Sequence, residues 1–212
     1  QAAELALTEG FEWLLTMDQD SRFGPTKSNA LAQAMHLAPP RTAAIGVESL
    51  KTPETVPRFV LVSFLLQSGT LFHLPTWRAL GGFKESLFID AVDHEYCLRA
   101  RKAGYRVLEY PSIQLIHQLG QTFKLPKWLF ILHSHPKTGI SYHMSARERF
   151  IFWNNAWLIY HYFWTFPTWA IRRTSYLLLR VLYALVILPE KGTRLKSILA
   201  GLRESIRFKG GE

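Results

Sequence analysis

The spacing of apolar residues divides the chain into two kinds of pattern. In the N-terminal part, short apolar runs alternate with polar segments bounded by Gly and Pro, as the strands and helices of an α/β domain do. Residues 1–10 (QAAELALTEG) are helix formers stopped by Gly10, and Trp13–Met17 follows as an apolar strand of the buried kind. Pro25 opens a helix to about Leu37, ended by Pro39 and Pro40. Ala43–Glu48 and Arg58–Leu66 read as strands on either side of a polar, proline-bounded loop. Within the second, Phe59–Val62 is apolar throughout, the mark of a strand covered on both faces. Leu71-Phe72-His73 leads into a short helix, Pro75–Leu80, and the turn Gly81-Gly82-Phe83. Asp93 stands where a helix N-cap belongs and Gly104 where the stop belongs. Acids come early and bases late between them, complementing the helix dipole. Tyr105–Tyr110 and Ile113–His117 complete the strands.

From Ser145 onward the pattern is helical, over Arg147–Thr165, Trp169–Leu188 and Lys191–Arg207, with Pro167 the main breaker. The last of these is basic and amphipathic. The apolar run Ser175–Pro189 is interrupted by Arg180 and is short for a bilayer span, which suits a helix packed against a neighbour or, the preferred reading, one lying in the interface. The pattern therefore predicts a sheet domain over 1–143 and a helical appendage over 144–212.

Charge sharpens that division. Residues 1–123 hold 11 Lys/Arg against 12 Asp/Glu, whereas residues 124–212 hold 14 against 4, so the net +9 sits wholly in the second part. That part also carries much of the aromatic content, from Phe150 to Tyr183, and basic plus apolar reads as a surface for anionic lipid headgroups. Nucleic acid is the other usual partner of a basic patch, but no recognised nucleic-acid motif is present. The single cysteine, Cys97, excludes an internal disulfide and a cysteine metal cluster and fits a reducing compartment. The chain begins at Gln1 without Met or a signal-peptide pattern and reads as a piece of a longer protein.

Candidate chemistry gathers at the ends of the predicted strands. Trp13–Met17 runs into Asp18-Gln19-Asp20-Ser21, and Asp-x-Asp at a strand end reaches one hard cation and its phosphate oxygens. A solvated turn has the same tripeptide. In Gln67-Ser68-Gly69-Thr70 the glycine suits either a ligand approaching the backbone or a bulge. His117 ends a strand as Asp20 does; a neutral imidazole completes a carboxylate metal site, or is simply a satisfied polar residue. His133-Ser134-His135-Pro136 has metal-like composition, yet its two imidazoles flank one position, and it reads as a loop without metal.

Taken in order, Asp18-Gln19-Asp20-Ser21, Ser68-Gly69-Thr70, Gly81-Gly82-Phe83, Asp93-His94-Glu95-Tyr96-Cys97-Leu98-Arg99 and His117-Gln118-Leu119-Gly120 resemble the family 2 glycosyltransferases. The likeness is to the bacterial rhamnosyltransferases of O-antigen and related polysaccharide synthesis, whose acidic motif often reads D-Q-D-S. The resemblance implies a GT-A-like (Rossmann-like) mixed sheet flanked by helices, inverting chemistry, and a Mg²⁺ or Mn²⁺ cofactor. By it, Asp18, Asp20 and His117 hold the cation and the donor diphosphate, and Asp93 is the general base. Gln19, Ser21, Ser68, Gly69 and Thr70 line the donor and acceptor side; Glu95 touches acceptor or helix, and Arg99 steadies the helix carrying the base. The implied donor is a nucleotide sugar, TDP-rhamnose, and the implied acceptor a lipid-linked saccharide. The implied place of action is the cytoplasmic face of the inner membrane, in peripheral or monotopic attachment. Two positions depart from the family pattern: Val92 replaces the first acid of its Glu-Asp pair, and its aromatic-Arg-Asn signature reads Trp153-Asn154-Asn155. The strand–loop–strand that grips the nucleotide base in the family is expected to precede Gln1. Two other classes stay open: an impaired relative acting as a membrane-bound binding or assembly module, and a metal-dependent hydrolase using the same acids.

Overall fold

The structure, a computed structural model of the chain, describes residues 1–23, 29–46, 59–87, 89–110, 115–117, 121–123, 140–142 and 144–207. The His133–His135 pair and Gln118-Leu119-Gly120 lie outside the described residues. Two compact units emerge, Gln1–Phe88 with Val92–Gln118, and Ile89–Ala91 with Leu119–Glu212.

In the first unit the strands are β1 (Trp13–Thr16), β2 (Ser21–Phe23), β3 (Thr42–Gly46), β4 (Val60–Leu61), β5 (Thr70–His73), β6 (Arg106–Glu109) and β7 (Leu115–His117). Five of them form a mixed sheet in the order β1-β5-β3-β6-β4, and β2 pairs separately with β7. β3 and β6 are parallel, while β5 is antiparallel to both β1 and β3, and β4 is antiparallel to β6. Alternation along the strands supplies the two faces. On one, Ala44 sits in register between Phe72 and Val107; on the other, Ile45 sits between Leu71 and Leu108. Helices α1 (Ala2–Thr8), α3 (Leu74–Ala79) and α4 (Val92–Lys102) cover the first face through Ala3, Trp77, Tyr96 and Cys97. Helix α2 (Ala30–His36) covers the second through Ala30 and Ala34. Each large apolar side chain enclosed this way contributes about 1.5–3 kcal/mol.

Two strands differ from the sequence expectation. The strand leading to the acids was expected to be buried, yet β1 is an edge strand and half-buried along its length. Phe59–Val62 was expected to be covered on both faces. Only Val60 and Leu61 pair, at the opposite edge, and Leu61 is 70% exposed. The reason is that the run serves two layers around the edge: Phe59 packs with the α2 side, and Val62 and Leu65 with the α4 side. Beyond the C-terminus of α4, the Arg41 guanidinium donates to the carbonyls of Ala103 (2.9 Å) and Gly104 (3.1 Å) and stacks over Tyr105.

The second unit holds the hairpin β8 (Gln121–Phe123) and β9 (Ile140–Tyr142), then α5 (Ser145–Tyr162), α6 (Pro167–Val186) and α7 (Lys191–Arg207). These helices fall where the periodicity predicts them. Arg180, which interrupts the apolar run of α6, turns inward. It donates to both carboxylate oxygens of the fully buried Glu148 on α5, at 2.8 and 2.9 Å. Arg194 on α7 donates to the same carboxylate at 3.2 Å and to the Pro189 carbonyl at 2.8 Å. Burial lowers the pKa of the Arg180 guanidinium, but the Glu148 bonds raise it by more, so it stays charged. A single carboxylate thus ties three helices together. Gly201 lets α7 lie against α5, because a Cβ there would stand 2.2 Å from the Arg149 carbonyl oxygen.

Asn154 and Asn155, the departure from the family signature, have structural partners. Asn154 donates to the carbonyls of Ile89 and Asp90, whose neighbour Ala91 shares the left-handed backbone of Asp90. Arg147 pairs with the Asp90 carboxylate at 2.8 Å. Asn155 bridges the Ile151 carbonyl and the Arg173 guanidinium. Among the described residues no helix is long and apolar enough to cross a membrane.

Glu148→Ala should cost about 3–5 kcal/mol, because it leaves two buried guanidinium groups without a counter-charge; urea denaturation followed by tryptophan fluorescence measures it. Cys97 is 1% exposed and burial pushes its thiol up to about 12. The folded chain should therefore not react with Ellman's reagent at mildly alkaline pH, and should react fully once unfolded in guanidinium.

Candidate active site

The edge of the sheet where the parallel strands end carries the predicted residues. β1 ends at Thr16, and the chain turns at once, with the Ser21 N–H donating to the Asp18 carbonyl at 3.0 Å. That four-residue turn places Asp18, Gln19 and Asp20 at its exposed corner. β5 runs the opposite way, so the residues that precede it, Gln67 to Gly69, arrive at the same edge. Register puts Thr16 opposite Thr70, and Thr70 opposite Gly46.

Hydrogen bonds fuse the two segments. The Ser68 hydroxyl accepts from the Asp18 N–H at 3.1 Å and donates to the Ser21 hydroxyl at 2.7 Å. The Gly69 N–H donates to the Thr16 carbonyl at 2.8 Å, and the Thr16 hydroxyl donates to the Gln67 carbonyl. Gly69 has φ +74°, a left-handed conformation that side chains disfavour, which accounts for glycine in this turn. The Thr70 hydroxyl closes the turn onto the Leu66 carbonyl.

Asp93 joins from α4. The helix begins one residue earlier, at Val92, so Asp93 is not the expected N-cap but a first-turn residue. Its carboxylate accepts from the His94 N–H at 2.8 Å and from the Gln67 N–H at 3.2 Å. Gln67 and Ser68 are consecutive, with Cα atoms about 3.8 Å apart. One holds the predicted base and the other the predicted metal turn.

Glu95 and Arg99 occupy a different environment. Glu95 is 2% exposed, and the Arg99 Nε and Nη2 grip its carboxylate at 2.9 Å. The same guanidinium donates to the carbonyls of Leu80 and Gly82. The pair locks α4 onto the Gly81-Gly82 turn, so Glu95 is spent on the helix rather than presented at the edge. The backbone of His117 pairs opposite Ser21, next to Asp20, in the β2–β7 ladder; its side chain lies outside the described residues. Among the described residues no group of three His, Cys, Asp or Glu side chains is placed to hold a metal ion.

Two contributors escape sequence reasoning. Thr16 ties the strand end to the glycine turn through its hydroxyl, and a β-branched residue ending a strand is too common to single out. Gln67 acts through its backbone N–H, which leaves no trace in the side-chain sequence.

Over 58 residues the chain is 38% identical to dTDP-rhamnosyl transferase RfbF of Shigella flexneri, a stretch that is 27% of this chain and 20% of that protein. The similarity suggests a glycosyltransferase relationship. The chain matches about a fifth of that relative's length. No family model matches the sequence, and no solved structure matches the fold.

Ser68→Ala removes an acceptor and a donor from the turn at once. It should cost on the order of 1–2 kcal/mol and accelerate hydrogen exchange at the Asp18 amide, as measured by NMR.

Proposed function

We propose that the chain carries the catalytic edge of a metal-dependent inverting glycosyltransferase, moving rhamnose from TDP-rhamnose to a lipid-linked saccharide in cell-surface glycan synthesis. The observation that supports this reading is the Gln67–Ser68 step, which ties the Asp18–Ser21 turn and the Asp93 carboxylate to adjacent residues. An inverting transfer needs charge stabilisation on the leaving side and a base on the acceptor side, a few ångströms apart.

The donor atoms at the turn suit a hard cation. Asp18 and Asp20 offer exposed carboxylate oxygens, and Mg²⁺ is commonly bound by one or two carboxylates together with substrate phosphates rather than by an all-protein cage. Asp18 and Asp20 would hold Mg²⁺ or Mn²⁺, with His117 contributing from the facing strand. Bound there, the cation supplies neutralisation of the leaving diphosphate. The acceptor hydroxyl oxygen attacks the anomeric carbon and its proton passes to an Asp93 carboxylate oxygen. The bond from the anomeric carbon to the diphosphate oxygen breaks, and its electron pair leaves with the diphosphate. The Gln67 and His94 N–H groups keep the Asp93 carboxylate aimed, and Glu95 with Arg99 fixes the helix that carries it. Gln19, Ser21, Ser68, Gly69 and Thr70 line the path between donor and acceptor. The basic, aromatic second unit rests on the anionic cytoplasmic face of the inner membrane, where lipid-linked acceptors lie. No nucleic-acid partner is proposed.

One observation favours a second reading, an impaired relative serving as a membrane-bound binding or assembly module: Val92 stands where the resembled family has the first acid of its pair. Calorimetry separates the two. Asp20→Asn should abolish Mg²⁺-dependent binding of TDP-rhamnose, and a wild-type chain that shows no such binding supports the module. Asp93→Asn should leave donor binding intact and lower transfer by about 10²–10⁴-fold. Unchanged transfer in that variant removes Asp93 from the role of base.

A further inference from the structure

The second unit exposes much aliphatic surface around an ordinary core. Its interior holds Ile151, Phe152, Leu177, Ala184, Leu188 and Ile198, with Glu148, Arg180 and Arg194 buried as an ion cluster. Its surface carries the aliphatic side chains of α6 and α7, which follow helical spacing outward. On α6 these are Ile171, Leu178, Leu182 and Val186, and on α7 Leu195, Leu199, Leu202 and Ile206. Leu178 is 67% exposed and Ile206 85%. Two exposed aliphatic stripes on neighbouring helices form a surface suited to an apolar surrounding.

Between α5 and α6, with Leu202 of α7 at its side, lies an apolar groove of about 820 Å³. Phe152 and Leu177 line it from buried positions, while Tyr160, Trp164 and Leu178 line it from exposed ones. The volume is that of a pocket for one ligand rather than a docking face for a folded partner. Trp164 is 89% exposed and Tyr160 80%, and this pair of amphipathic rings is typical of the level of lipid headgroups. From residue 149 to residue 189 the sequence has no Asp or Glu, while Arg172 is exposed on α6. The net positive charge of this segment therefore favours an anionic headgroup.

We infer that the groove takes one hydrocarbon chain of an anionic membrane lipid, drawn from a bilayer on which the α6 and α7 stripes rest. The inference deepens the proposed membrane association and requires neither sugar donor nor Asp93, so it stands or fails independently of glycosyl transfer. A chain so held would fix the depth and orientation of the second unit in the headgroup layer, whereas surface adsorption alone would leave both free.

The test uses the 212-residue chain and the fluorescent fatty acid cis-parinaric acid, with vesicles of phosphatidylcholine and phosphatidylglycerol in a second arm. Saturable binding with one site per chain is expected. Ala156→Trp and Thr174→Trp fill the groove from two different helices. Each should weaken probe binding by about tenfold or more, about 1.4 kcal/mol or more, while circular dichroism and cosedimentation with the vesicles stay unchanged. Two filling variants are used so that misfolding of one does not decide the outcome. Absence of saturable probe binding in the wild type overturns the inference, as does equal binding in both folded variants. A dimer in sedimentation velocity that Leu178→Glu dissociates, without probe binding, assigns the groove to a second copy instead and also overturns it.

Discussion

Strand β5 runs antiparallel between β1 and β3, which point the same way, and the candidate site depends on that placement. Had β5 joined in parallel, its leading turn would have emerged at the far edge of the sheet, away from the Asp18–Ser21 turn. Because it enters reversed, Gln67, Ser68 and Gly69 meet the end of β1 and can satisfy its backbone groups. An antiparallel strand inserted between two that point the same way concentrates both strand ends and strand beginnings on one rim. The rim therefore holds two polar turns where a wholly parallel sheet would offer only the loops that follow its strands.

The second unit solves a different problem. A buried ion cluster such as Glu148 with Arg180 and Arg194 adds little net stability over an apolar core of equal volume, since desolvation offsets most of the attraction. What it supplies is uniqueness. A leucine-rich helix can slide or rotate against its neighbours with small loss, but a helix whose one guanidinium must reach one carboxylate cannot. Gly201 imposes the matching steric condition on α7, where only a residue without a side chain permits the approach to α5. Register between these helices is thus set by one charge and one absence of bulk, leaving their outer surfaces unconstrained by folding.

Much of this was legible in the residues. The order of helices and strands followed from periodicity and breakers, because each element is long enough or sharply enough bounded to be read locally. The residues of the site were named from a resemblance, and the structure places Asp18, Ser21, Ser68 and Asp93 within one hydrogen-bonded set. What could not be read depended on tertiary position. Phe59–Val62 looks like a central strand because apolar continuity does not reveal whether neighbours lie on one side or two. Arg180 looked like a flaw in an apolar helix because its partner, Glu148, is distant in sequence. Glu95 stood beside Asp93 in an acidic motif, and only the helical turn that sends it inward to Arg99 separates their duties.

Helix α4 is fastened at both ends. Near its start, Asp93 receives the Gln67 N–H; past its end, Arg41 holds the Ala103 and Gly104 carbonyls; between them Arg99 grips the Gly82 turn. Each residue of an α-helix turns the next by about 100°. A single insertion or deletion between Asp93 and Gly104 would leave the far anchor in place and swing the Asp93 carboxylate out of line with the rim. Of this helix only Lys102 is exposed, so packing restricts most of its positions and the two anchors fix its length, and evolution of this segment is confined to compatible changes of residue without change of count.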